Sequence, residues 1–111
     1  MKRSLNPTQL QQGDVLITRV DTMPTGGRAV AAKPRGYVVA EGEATGHAHT
    51  LTPEAVLEMR EVDGVLYARI AGPVDLLHEE HKPVSLTEGV FRFDRVQEYD
   101  HFAEEARQVA D

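Results

Sequence analysis

Four of the five histidines in this chain fall in two short windows, Gly46-His47-Ala48-His49 and His78-Glu79-Glu80-His81. Imidazole is the commonest protein ligand for transition metals and the one side chain that titrates near neutral pH without perturbation. On a strand, residues two apart project from the same face. His47 and His49 therefore point the same way, with small Ala48 between them on the other face. Two imidazoles so placed reach a single ion at roughly 2.0–2.1 Å. Gly46 leaves room for the backbone beside the pair, and Thr45 or Thr50 can hydrogen-bond nearby groups.

The second window has a different rhythm. On a regular strand His78 and His81 face opposite sides, whereas a turn places residues three apart together. Pro83 biases Lys82 towards extended backbone and removes a ladder donor, so a bulge or turn before it would bring the two histidines to one side. All four histidines are candidate metal ligands. His81 is the preferred third member of a three-histidine set and His78 the fallback. Glu79 and Glu80 can orient a ligand imidazole. Glu43, with Glu41 before it, is a candidate fourth ligand or general base, and Glu43 and Glu79 are the candidate proton-transfer residues. The alternative for every one of these residues is an ordinary solvated or hydrogen-bonded side chain. His101 and Tyr99 lie apart from both windows and read as surface or rim positions.

With no cysteine in the chain, thiolate ligands and disulfides are excluded. A site of imidazole and carboxylate suits Zn²⁺ first. Fe²⁺ or Mn²⁺ becomes plausible if a carboxylate replaces one imidazole. Three imidazoles and an open position would support hydration of a small carbonyl, as in a carbonic anhydrase-like reaction, or hydrolysis of a small ester or amide. Four protein ligands would instead close a structural site or bridge subunits of a homo-oligomer. A small-molecule substrate is compatible with the first reading, although no segment defines an organic pocket.

These side chains need a scaffold, and the rest of the chain reads as short strands separated by Gly and Pro. Residues 14–20, 37–41, 47–51, 74–78, 84–86 and 90–96 carry strand signals. Phe91 and Phe93 alternate with Arg92 and Asp94 in the clearest amphipathic pattern. Residues 55–71 form a hairpin signal around Asp63-Gly64, in competition with a helix over 54–61 that Pro53-Glu54 would start. Residues 1–13 read as an irregular lead-in, 14–99 as one β domain, and 100–111 as a short C-terminal helix or tail. The expected fold is all-β, a small β-sandwich or small barrel with that short helix attached.

Composition agrees with a modest core. Apolar residues make up 41% and aromatics only 5%, so Val, Leu, Ile and Ala must fill it. The net charge of -6 repels phosphate backbones and anionic lipid, which argues against nucleic-acid and membrane partners. No apolar run is long enough to span a bilayer, and the two basic residues near the start precede no apolar stretch, so no secretory signal is expected and a cytoplasmic location is the default.

Two resemblances rest on these residues. Gly42, His47, His49 and Glu54 resemble the first motif of the cupins, which implies a small metal-binding β-barrel with those residues at the ion. The cupins' second motif places a histidine after a Pro-x-Gly turn; here the later histidines precede Pro83. The segments running from Glu41 to His49, from His78 to His81 and from Gln97 to Tyr99 resemble a family of small bacterial and phage proteins of uncharacterised activity. That resemblance spans most of the chain and implies no particular reaction.

Overall fold

A computed structural model describes residues 9–42 and 46–95. The described residues form ten strands and one 3₁₀ turn: β1 (Gln9–Gln12), β2 (Val15–Val20), β3 (Arg28–Ala29), β4 (Tyr37–Glu41), β5 (Ala48–Leu51), the turn Pro53–Ala55, β6 (Val56–Val62), β7 (Val65–Ile70), β8 (Val74–Leu77), β9 (Val84–Leu86) and β10 (Gly89–Arg95). All neighbouring strands are antiparallel. They make a six-stranded sheet in the order β1-β2-β10-β7-β6-β3 and a four-stranded sheet in the order β4-β5-β8-β9. The architecture is all-β, and a single core of side chains from both sheets gives it the character of a small sandwich.

Alternation builds that core. Val15 and Ile17 of β2 and Phe91 and Phe93 of β10 are buried, while Leu16, Thr18, Arg92 and Asp94 between them are only half-buried. Arg92 and Asp94 lie two apart on the outer face and bind each other, with Nε 2.8 Å from Oδ2. Met59, Ala68 and Ile70 continue the inner layer, and Leu51, Leu76 and Leu86 meet it from the smaller sheet.

The β6–β7 hairpin forms where Asp63-Gly64 predicts it. Asp63 and Gly64 have φ of 52° and 80°, the left-handed pair that matches strand twist across a two-residue turn, and Val62 faces Val65. The competing helix over 54–61 is reduced to the 3₁₀ turn Pro53–Ala55 before the chain enters β6. A register shift between Val56 and Glu58 then turns Leu57 outwards. It is 64% exposed although its neighbour Val56 is buried.

One reading of the N-terminal segment is corrected. Gln9–Gln12, expected to be irregular, is strand β1 and pairs with β2 from Gln9↔Thr18 to Gln12↔Val15. A glutamine run carries no apolar alternation and so gives no strand signal. The contacts that hold it are polar and distant in sequence. The expected C-terminal helix, with Tyr99 and His101, lies outside the described residues, as do Glu43 and Thr45. Among the described residues, no helix is long and apolar enough to cross a membrane.

Replacing fully buried Leu76 by Ala should destabilise the protein by about 2–5 kcal/mol through lost burial and an unfilled cavity. Exposed Leu57→Ala should stay within about 0.5 kcal/mol of the parent. Urea unfolding of the two variants, with unchanged denaturant slopes, checks both.

Candidate metal centre

The structure brings the two histidine windows together. His47 stands just before β5 and His49 within it. His78 follows β8 directly, and residues 79–81 bend before Pro83. Because β5 pairs with β8, Thr50 opposite Leu77, the two windows lie at the same end of the smaller sheet. The bend resolves the spacing problem of the second window, for His78 and His81 turn towards each other with ring centroids 4.6 Å apart. His78 is the hub. Its ring is 4.3 Å from that of His49 and 5.7 Å, edge-on, from that of His47. The rings of His49 and His81 lie nearly parallel at 6.1 Å.

His47 and His49 differ in depth. His49 is 3% exposed, whereas His47 is half-buried, with Nδ1 3.3 Å from Glu80 Oε1. His49 is also the best anchored. Its Nδ1 is 2.8 Å from Gln12 Oε1 and its Nε2 is 3.2 Å from Asp14 Oδ1. The Gln12 amide is unambiguous, because its Nε2 donates to the backbone carbonyls of Leu76 and Lys82, both at 2.8 Å. Oε1 must then accept, so His49 Nδ1 carries the proton. In the neutral ring, Nε2 is left with a lone pair aimed at a carboxylate oxygen. Burial and the neighbouring His78 push the His49 pKa below the ordinary imidazole value of 6.5, while the Asp14 carboxylate opposes the shift.

Gln12 and Asp14 are absent from the candidates that spacing alone suggests. They flank Gly13 in the β1–β2 turn, and only the fold carries that turn to the histidines. Gly13 has φ of 55°, and a Cβ there would come within 2.5 Å of His81 Nε2. The glycine serves both the turn and the close approach of the ring. Asp14 also receives Arg95 Nε on its second oxygen at 2.9 Å.

Glu79 sits at the cluster with both carboxylate oxygens engaged. Its Oε1 accepts the Ala48 backbone N–H at 2.9 Å, and its Oε2 accepts Arg35 Nη2 at 2.6 Å. The bond from Ala48, further backbone hydrogen bonding and Arg35 hold its pKa below the usual carboxylate range, which makes it a weak base near neutrality. Arg35 also donates to the Gly46 carbonyl at 3.0 Å. The Arg35–Glu79 pair thus clamps the segment before β5 to the bend after β8. His78 Nδ1 accepts the Glu80 backbone N–H at 3.0 Å, so its neutral ring carries the proton on Nε2. Glu54 lies exposed in the 3₁₀ turn. Among the described residues, no three His, Asp or Glu side chains stand ready to hold an ion without rearrangement.

The model of one protein family, Domain of unknown function (DUF8820), matches residues 11–96. The chain belongs to that family. The matched stretch contains Gln12, Asp14 and both histidine windows. Neither a curated protein nor a solved structure matches the chain, so the chemistry of this DUF8820 domain has to be argued from its own side chains.

Two predictions follow from His49 and Gly13. In protein freed of metal ions, the lowered His49 pKa means that the unfolded chain binds more protons below pH 6.5. The contribution to stability is fully present above that value and falls with acidification until the folded ring titrates. A His49→Gln variant should lose that part of the slope in melting temperature between pH 7 and 5. Gly13→Ala should cost about 1 kcal/mol from the left-handed backbone and shift the His81 ring resonances, as read by NMR.

Proposed function

We propose that this is a metal-binding β domain in which His49, His78, His81 and Asp14 take one divalent transition-metal ion, zinc being the first candidate. The observation that carries the reading is the His49–Asp14 contact. Nε2 of a ring whose proton is held at Nδ1 by Gln12 lies 3.2 Å from a carboxylate oxygen. Two lone pairs repel at that distance unless a proton or a cation lies with them, and burial together with His78 disfavours the protonated ring. Imidazole whose far nitrogen is hydrogen-bonded to an oxygen acceptor is the usual arrangement of a metal-ligating histidine. Loading requires movement. His78 joins only by releasing the Glu80 N–H from Nδ1, and the exposed bend at 79–81 can supply that shift.

The donor set of imidazole and carboxylate fits Zn²⁺, Fe²⁺ or Mn²⁺. With three protein ligands, zinc would keep an open position and lower the pKa of bound water to about 7, the chemistry needed to hydrate CO₂ or hydrolyse a small ester or amide. With all four of the proposed ligands engaged, or His47 in place of one of them, it would be a structural or subunit-bridging site. Engagement of Glu79 by Arg35 and Ala48 favours binding over proton-transfer catalysis. A cytoplasmic zinc enzyme acting on a small-molecule substrate is the second reading, favoured by the exposed side chain of Asp14, which would leave the ion open to solvent.

Purified protein reconstituted with Zn²⁺ and then desalted should retain about one ion per chain, read by elemental analysis. His49→Ala should lower zinc affinity by at least tenfold, and His47→Ala much less. Failure of the wild type to hold any metal above background sinks the reading. Stopped-flow CO₂ hydration then separates the uses of a bound ion: a zinc-dependent rate supports catalysis, and none leaves a binding or structural site.

A further inference from the structure

A cavity of about 470 Å³ opens at the end of the core near the β1–β2 turn, and none of the four clustered histidines lines it. Its inner wall is apolar. Buried Val15 and Phe93 and half-buried Leu66 come from the larger sheet, while Val39 and Ala40 come from the smaller one. The volume lies within the range typical of small-molecule pockets, roughly 300–1,000 Å³.

The opening is charged, and its charges are unequally satisfied. Arg28 pairs with Glu61 at 2.6 Å, Asp94 is held by Arg92, and Arg95 is held by Asp14. Lys33 also lines the cavity and has no ion-pair partner among the described residues. It is presented by a rigid turn, in which Lys33 N–H donates to the Gly36 carbonyl and Gly36 N–H donates back to Lys33. Arg95 stands at the same opening with its guanidinium on Asp14 and on the Glu41 carbonyl. The cavity therefore combines an apolar interior with a cation at its mouth, Lys33, that has no ion-pair partner among the described residues.

We propose that this cavity binds a small amphipathic carboxylate, with its alkyl or aryl body against Val15, Val39, Leu66 and Phe93 and its carboxylate on Lys33. Apolar burial supplies most of the affinity, at roughly 25 cal/mol per Å² removed from water before the costs of association. The ammonium fixes orientation and selects the anion. The site stands apart from the metal reading, since none of its contacts uses a histidine.

Isothermal titration of the full chain with octanoate, 1-octanol and octylamine tests the assignment. Octanoate should bind about tenfold or more tightly than the other two, the scale of a charge-assisted hydrogen bond. Lys33→Gln should remove that preference and Lys33→Arg restore it. Ala31 is exposed at the cavity's edge, so Ala31→Trp should obstruct entry without disturbing the core. Octanoate should also shift the amide resonances of Val39 and Leu66, and do so equally in metal-free protein. Absence of octanoate binding at millimolar concentration, equal binding of octanol, or an unchanged preference in Lys33→Gln overturns the proposal.

Discussion

One buried side-chain amide holds the candidate site together. Gln12 is 2% exposed and every polar atom of its carboxamide is engaged. It binds the end of β8, the bend that carries the second histidine window, and the imidazole of His49. All three partners belong to the smaller sheet and the bend after β8, whereas Gln12 ends β1 of the larger sheet. A buried amide left unsatisfied costs about 1–3 kcal/mol per group, so the three bonds stand or fall together. The same bonds decide the tautomer of His49, and with it the direction in which the ring can accept anything.

Around that amide the charged side chains divide into two kinds. The Arg35–Glu79 pair is mechanical, because both groups are spent on backbone and on each other. Asp14 is different, for one of its oxygens faces His49 and the other faces Arg95. Arg95 in turn lines the cavity. A single carboxylate therefore touches the histidine cluster on one side and, through one guanidinium, the cavity on the other. The two contacts measure 3.2 Å to His49 and 2.9 Å to Arg95.

Much of the scaffold was legible because it obeys local rules. Phe91 and Phe93 announce β10 by alternation, and Asp63-Gly64 announces the β6–β7 turn by its need for left-handed backbone. The two histidine windows were legible as a pair, and the bend ahead of Pro83 that unites His78 with His81 was foreseeable from proline's effect on the preceding chain. What the sequence could not disclose depends on tertiary contact. β1 has no apolar pattern, since its innermost residue is a glutamine that pays for burial with bonds to the opposite sheet. Asp14 looks like any turn aspartate until the fold sets it against His49. Glu79 sits between histidines as a ligand's helper would, yet Arg35, distant in sequence, takes its carboxylate.

The Gln12 bonds also bear on how the chain folds. Its partners Leu76 and Lys82 lie 64 and 70 residues away, whereas the β6–β7 hairpin closes over a two-residue turn. Contacts between remote segments form only after the entropy of long loops has been lost, while hairpins close locally in microseconds. The histidine cluster is thus a late structure. It comes into being when β1 has found β8 and the bend behind it, so a ligand held there would report that this long-range contact has formed and would hold the two sheets together at that end.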